Sequence, residues 1–181
     1  MAKQQKHVIL AVTGSIAAYK AGDIIRRLKD KNIRVTVLMT KEAEAFITPL
    51  TLASLSGEKV YCHLLAEDEN AGQISHIELA RRVNAIVIAP ATANIIGKIA
   101  NGLADDVVTC TVMASRAPVV IAPAMNDEMF HNSFVQENCR KLKKHGVKFV
   151  DPVEGNLACG TFGEGHLADV DEIVKAVDAL L

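Results

Sequence analysis

The chain has 181 residues, half of them hydrophobic and 23% charged, with a formal net charge of −1. That length holds one domain with a substantial core, here taken as residues 1–181, and its apolar residues fall in runs too short to cross a membrane. No block of Lys or Arg offers a footprint for nucleic acid. The charged start MAKQQKHVILAVTG lacks the features of a secretory signal, which points to a cytoplasmic protein.

Short β-branched runs alternate with amphipathic segments along the chain. HVILAVTG (7–14) reads as a buried strand, followed by a helix in AAYKAGDIIRRLKDK (17–31). IRVTVLMT (33–40) is a second strand, AFITPLTLASLSG (45–57) carries a helix, and KVYCHL (59–64) is a short edge strand. The polar stretch AEDENAGQISH (66–76) reads as a mobile loop before the helix of HIELARRV (76–83). After the strand NAIVIAPAT (84–92), one helical stretch is expected over IIGKIANGLADDVVTCTVMASR (95–116). The strands PVVIAPAM (118–125) and VKFVDPV (147–153) flank a helix in SFVQENCRKLKKHG (133–146). GNLACGTFGEGHLAD (155–169) reads as a flexible glycine-rich flap, and DVDEIVKAVDALL (169–181) as a helix capped by Asp169 or Asp171. Strands apolar on both faces, alternating with helices, predict a Rossmann-like doubly wound parallel sheet in a three-layer α/β/α fold.

In such sheets ligands bind beyond the carboxyl ends of the strands, near the point where strand order reverses. Three strand ends carry unusual residues. In TGSIAAYK (13–20) a Gly-Ser turn opens into a helix, so Ser15 and nearby N–H groups suit a phosphate, or Ser15 is simply an N-cap. The lack of GxGxxG and of a Walker lysine favours a mononucleotide. In APATANIIGKIANG (89–102), Pro90 ends the strand, and Thr92 and Asn94 are ligand contacts or caps. APAMNDEMF (122–130) repeats the Ala-Pro-Ala arrangement, so two loops converge on one ligand. There Met125 and Met129 also read as core filler, whereas Asn126 is an amide that needs partners.

His76 is either a structural residue at a helix start or a base working near neutral pH. His7, His63, His131 and His145 have no neighbours in sequence that single them out. The cysteines Cys62, Cys110, Cys139 and Cys159 are widely spaced without a CxxC pair, so they read as reduced thiols. Metal-site spacing is absent, and no metal is expected. Cys159 is an incidental loop thiol or one carried over a pocket, with Gly160 and Gly163 as hinges. The residues alone give a phosphate-containing mononucleotide, a base, a mobile thiol and no reaction.

Taken in order, GSIAAYK, HIEL, PATANIIGKIANGLADD, PAMNDEM and LACG resemble the homo-oligomeric flavin-containing cysteine decarboxylases. The likeness is greatest to the bacterial branch acting on 4′-phosphopantothenoylcysteine in coenzyme A biosynthesis, and it covers about residues 7–175. The resemblance implies FMN held between subunits of a trimer or a multiple of trimers. By the same token Gly14, Ser15 and Ile16 form the first FMN-binding turn. Thr40 contributes a further flavin contact. Thr92, Ala93, Asn94 and Ile95 occupy the family's PASANT position with Thr in place of Ser, and Ala124 touches the cofactor. Asn126 holds the substrate carboxylate, His76 is the essential histidine and Cys159 the flap cysteine. Met125, Asn156 and Ala158 complete the substrate-binding set.

The implied chemistry is decarboxylation after oxidation. A plain cysteine carboxylate leaves a carbanion with nowhere to delocalise, whereas prior oxidation of the thiol to a thioaldehyde provides a sink one carbon away. With His76 as base, CO2 leaves to give an ene-thiol. Cys159 then donates a proton as the electrons return, giving 4′-phosphopantetheine. Relatives that process peptide C-terminal cysteines stop at the ene-thiol and need no such donor, so Cys159 sets the peptidyl-cysteine reading second. A non-catalytic regulatory flavoprotein is third. Two positions depart from the family pattern: His166 stands where an Arg is often found, and Asp105-Asp106 where "DN" is common. The synthetase domain of many bacterial relatives is not in this chain, so a separate phosphopantothenate–cysteine ligase is the expected pathway partner.

Overall fold

The computed structural model describes residues 5–64, 75–156, 160 and 162–181, with only the backbone of residues 75 and 76. In chain order its elements begin with β1 (His7–Val12), α1 (Ala21–Asp30), β2 (Arg34–Met39), α2 (Pro49–Ser56), β3 (Val60–Tyr61) and α3 (Ser75–Arg82). They continue with β4 (Ala85–Ala91), α4 (Ala93–Ala100), α5 (Val107–Ala114), β5 (Val119–Pro123), α6 (Asp127–His131) and α7 (Ser133–Lys144). The chain closes with β6 (Lys148–Phe149), β7 (Val153–Asn156), β8 (Phe162–His166) and α8 (Val170–Asp178). Short 3-10 turns, Ile16–Lys20 and Lys41–Ala45, follow β1 and β2.

Alternating side chains on the strands feed two separate cores, which is what drives helices onto both faces. Val8, Leu10 and Val12 of β1 pack with Ile24 and Leu28 of α1, Leu52 of α2 and Ile173 and Val177 of α8. Ile9 and Ala11 point the other way, into a core with Ile95 and Ile99 of α4, Val108 of α5 and Leu142 of α7. Six strands form one parallel sheet in the order β3-β2-β1-β4-β5-β6. β1 pairs with β2 from His7↔Arg34 to Val12↔Met39 and with β4 from Val8↔Ala85 to Ala11↔Ile88. The chain builds outward from β1 to β3, then returns to lay β4 on the opposite side, so the order reverses between β1 and β4. Among the described residues, no helix is long and apolar enough to cross a membrane.

Four local expectations need correction. The helix expected over 95–116 is two helices. Gly102, at a φ of +71°, turns the chain out of α4. Asp106 then starts α5 with a capping box, accepting from Thr109 N–H while the Thr109 hydroxyl accepts from Asp106 N–H. Lys98 Nζ ties the break together, 2.8 Å from Asp105 Oδ1 and 3.0 Å from Asp106 Oδ2. Pro90 does not end its strand: β4 runs on to Ala91, with its register against β5 shifting between Ile88 and Ala91. In 147–153 only Lys148 and Phe149 pair with β5.

The fourth correction concerns the glycine-rich segment. Its described parts form an antiparallel two-stranded hairpin, β7 against β8, from Val153↔His166 to Asn156↔Phe162. Two of its glycines, Gly163 and Gly165, lie where a Cβ would run into Asp127 and the Met125 carbonyl, whereas Gly160, at a φ of +87°, has open space around it.

His7, which sequence spacing passed over, is buried at the start of β1. Its Nε2 lies 2.9 Å from Thr36 Oγ1, and its backbone N–H donates to Asn84 Oδ1 at 2.8 Å. Burial, and after it the Arg34 guanidinium, holds the imidazole pKa below the ordinary value of 6.5. The unfolded chain therefore takes up this proton more readily. The stability His7 confers is complete above about pH 6.5 and is lost as pH falls from there through the folded-state pKa. Melting temperature measured by circular dichroism should fall more steeply from about pH 7 to about pH 5 than in His7→Gln. Parallel curves would remove His7 as the cause.

Candidate active site

At the carboxyl edge of the sheet, where the order reverses, the strand exits enclose a cavity of about 630 Å³. That volume suits a small ligand or cofactor. Thr13, at the end of β1, joins the two exits. Its buried hydroxyl donates to Pro90 O at 2.7 Å and accepts from Thr92 N–H at 3.1 Å. Next to it, Gly14 faces the 3-10 turn after β2 so closely that a Cβ there would lie 2.5 Å from Glu42 Cβ. Ser15 accepts from Ala17 N–H at 3.4 Å and caps the turn that carries Ile16, Tyr19 and Lys20 along the wall.

β4 delivers the second wall. Thr92 accepts from Ile95 N–H at 3.4 Å as the cap of α4, and Ala93, Asn94 and Ile95 line the cavity beside it. β5 delivers the third, with Ala124, Met125 and Asn126. Asn126 caps α6: its Oδ1 accepts from Met129 N–H at 3.3 Å, and its Nδ2 donates to Asp127 Oδ1 at 2.9 Å. The hairpin closes the fourth side with Asn156, Gly165 and His166. It is held there by Met125 N–H, which donates to Gly165 O at 3.0 Å. His166 Nδ1 lies 3.1 Å from the Leu167 carbonyl, which favours the tautomer with the proton on Nδ1 and leaves Nε2 as an acceptor in the neutral ring.

One polar group on this wall lacks a partner. Thr40, at the end of β2, is 6% exposed, and its Oγ1 is the one buried side-chain polar atom among the described residues with no hydrogen bond. Such a group costs stability unless a ligand satisfies it.

The cavity thus gathers all nine residues expected at a cofactor, Gly14, Ser15, Ile16, Thr40, Thr92, Ala93, Asn94, Ile95 and Ala124, together with Met125, Asn126 and Asn156. Capping and wall-lining prove to be compatible roles for Ser15, Thr92 and Asn126. His76 lies in the first turn of α3, but its side chain, like Ala158 and Cys159, falls outside the described residues. Sequence reasoning missed Thr13, Tyr19, Lys20, Glu42 and Phe46. Tyr19 and Phe46 are large aromatic side chains about half exposed, one on the first 3-10 turn and one just after the second, and such short turns lack the 3.6-residue periodicity that would have flagged them.

The three described thiols are poor nucleophiles. Burial, with Glu44 second, pushes Cys62 up to about 11, and burial also raises Cys110 and Cys139.

A sheet of this order with its cavity at the switch point defines a doubly wound α/β ligand-binding protein. Within that class the chain belongs to the flavoprotein family: the model described as Flavoprotein matches residues 1–181. The chain is 44% identical over 173 residues to the "Coenzyme A biosynthesis bifunctional protein CoaBC" of Bacillus subtilis, covering 96% of this chain and 42% of that protein. It therefore spans less than half the length of that relative. It is 43% identical over 178 residues to the "Probable phosphopantothenoylcysteine decarboxylase" of Streptococcus mutans, covering 97% of this chain and 99% of that one. Among solved structures it matches a cysteine-to-serine mutant of PPC decarboxylase complexed with pantothenoylaminoethenethiol. There the TM-score is 0.88 at 31% identity, covering 97% of this chain and 98% of the other. The FMN binding protein AtHal3 matches with a TM-score of 0.83 at 32% identity, covering 97% and 96%.

The packing of the hairpin on the Met125 carbonyl leaves no room for a Cβ at Gly165. Gly165→Ala should lower thermal stability by about 1–3 kcal/mol, the usual cost of overpacking. An unchanged melting curve would show that the hairpin is not docked there.

Proposed function

We propose that the protein is an FMN-dependent decarboxylase that converts 4′-phosphopantothenoylcysteine to 4′-phosphopantetheine in coenzyme A biosynthesis. The observation that carries this reading is the meeting of the GSI, TANI and AMN segments on one cavity. The 43% identity to a relative of matching length that bears the decarboxylase name supports it.

The residues present fit the flavin. Gly14 leaves a cradle that a Cβ would fill, and Thr40 offers a buried hydroxyl without a partner. Ile16, Ile95 and Ala124 give apolar wall for a ring system. When bound, FMN supplies the two-electron oxidation of the thiol-bearing carbon and the later return of those electrons.

The remaining work falls to side chains. Asn126 holds the substrate carboxylate and fixes the bond to be broken relative to the oxidised carbon. His76 acts as base in the oxidative half by taking up the thiol proton. CO2 leaves once the neighbouring thioaldehyde can accept the electron pair. The Cys159 thiol then returns a proton to the ene-thiol carbon, while the hairpin side of the cavity excludes water. Residues 1–181 act as one domain, in a trimer in the cytoplasm, with the ligase step on a separate protein. The streptococcal relative, 99% of which is covered and which carries the decarboxylase name alone, supports that division.

Mass spectrometry of the protein incubated with 4′-phosphopantothenoylcysteine, without added reductant, should show a product that has lost only CO2. A decarboxylated product two hydrogens lighter would favour peptide-type chemistry, and bound flavin without turnover would favour a binding protein. Cys159→Ser should accumulate the oxidised, decarboxylated intermediate, and full turnover by that variant would remove Cys159 as donor.

Thr40→Val tests the flavin contact without relying on activity. The flavin-free protein should gain about 1 kcal/mol or more, because a buried unpaired hydroxyl is removed, while FMN affinity drops about tenfold. Unchanged FMN affinity by fluorescence titration would place the flavin elsewhere.

A further inference from the structure

We infer that Asp127 is a positioning residue for the decarboxylation step, setting which end of the Asn126 amide meets the substrate carboxylate. This rests on the decarboxylase reading above and on Asn126 as the carboxylate contact.

The argument begins with the two-fold ambiguity of an amide. An Asn side chain can present its N–H or its C=O in nearly the same place, and only a donor or an acceptor group beside each end chooses between them. A carboxylate ligand accepts hydrogen bonds and is repelled by a C=O. At Asn126 both ends are specified. Oδ1 accepts from Met129 N–H at 3.3 Å, and Nδ2 donates to Asp127 Oδ1 at 2.9 Å. Turning the amide over would set Oδ1 against a carboxylate oxygen and Nδ2 against an N–H, two repulsive contacts in place of two bonds. Asp127, an acceptor with no proton to offer when ionised, therefore keeps Asn126 a donor.

A second observation fixes Asp127 itself. The hairpin runs directly over its side chain: a Cβ on Gly163 would lie 2.5 Å from Asp127 Oδ2, 2.8 Å from Cβ and 2.9 Å from Cγ. Asp127 Oδ1 faces Asn126, and its other oxygen is pressed against β8. Gly165 O, two residues along the same strand, accepts from Met125 N–H at 3.0 Å. Asp127 thus lies between the residue that holds the carboxylate and the hairpin whose connection carries Cys159. Across the hairpin, Glu164 Oε2 lies 3.5 Å from His131 Nε2 at the end of α6, a further tie between the same two elements.

The test uses the flavin-loaded enzyme, with wild-type turnover as its control. In Asp127→Ala the KM for 4′-phosphopantothenoylcysteine should rise about tenfold, the loss expected for one charge-assisted hydrogen bond. Inhibition by 4′-phosphopantetheine, which lacks the carboxylate, and flavin content should stay at wild-type values. Asp127→Asn, which offers a carbonyl acceptor in the same place, should recover to within about threefold of wild type. Asn126→Ala combined with Asp127→Ala should be no worse than Asn126→Ala alone, because the second residue acts only through the first. Should Asp127→Ala fail to fold, Gly163→Ala reads the same comparison by displacing the carboxylate without removing it. A KM unchanged in Asp127→Ala overturns the inference, as does an equal loss of affinity for substrate and product, which marks a general disturbance. Absence of wild-type turnover sinks the functional reading and this inference with it; wild-type turnover with unchanged variants sinks the inference alone.

Discussion

The cavity depends first on the hydroxyl of Thr13. At the switch point, β1 and β4 are neighbours in the sheet, but the elements that follow them pack on opposite faces, so the two exits diverge. Thr13 closes that gap by donating to the Pro90 carbonyl and accepting from the Thr92 N–H, groups 77 and 79 residues away in the chain. Burial makes the bond to Pro90 expensive to break, since Thr13 is 1% exposed and its hydroxyl would be left where water does not reach. The Gly14 turn and the Thr92 turn inherit their separation from it. Everything that faces a ligand from β1 or β4 is placed relative to this one side chain.

A second economy follows at the three exits. Ser15, Thr92 and Asn126 all use a side-chain oxygen to satisfy an N–H at the start of the next turn or helix. These side chains are consequently held in one rotamer before any ligand arrives, and binding pays less ordering entropy. Local folding rules and ligand binding therefore select the same residue types here. That is why neither reading could displace the other when the sequence stood alone.

What the sequence shows plainly is whatever depends on short-range pattern. Runs such as HVILAV and AIVIAPA are apolar on both faces, which only a covered parallel sheet permits, and the doubly wound fold follows. Less legible is what depends on distant contacts. Gly163 looked like a hinge, but its two-residue spacing from Gly165 puts both on one face of β8, where they let the strand meet Asp127 and the Met125 carbonyl. The i, i+2 spacing was the available signal. The break before Asp105 falls at Gly102, whose left-handed φ ends α4, and Lys98 in the last turn of that helix meets Asp105 and Asp106 only once the chain has turned. His7 and Thr13 carried no signal at all, because their partners, Thr36, Pro90 and Thr92, are brought to them only by sheet pairing.

The hairpin has a consequence for how such a chain can diversify. It hangs between β6, which is paired in the sheet, and α8, whose Ile173 and Val177 are locked into the core beneath β1. Its two strands pair only with each other, so none of the hydrogen bonds of the main sheet pass through them. The segment from Val153 to His166 is in effect a cartridge. It can be exchanged, lengthened or re-lettered between family members without disturbing the six-stranded frame, provided the glycines that seat it over Asp127 and Met125 travel with it. Recognition of new substrates can then drift while the sheet and the turns that line the cavity stay fixed.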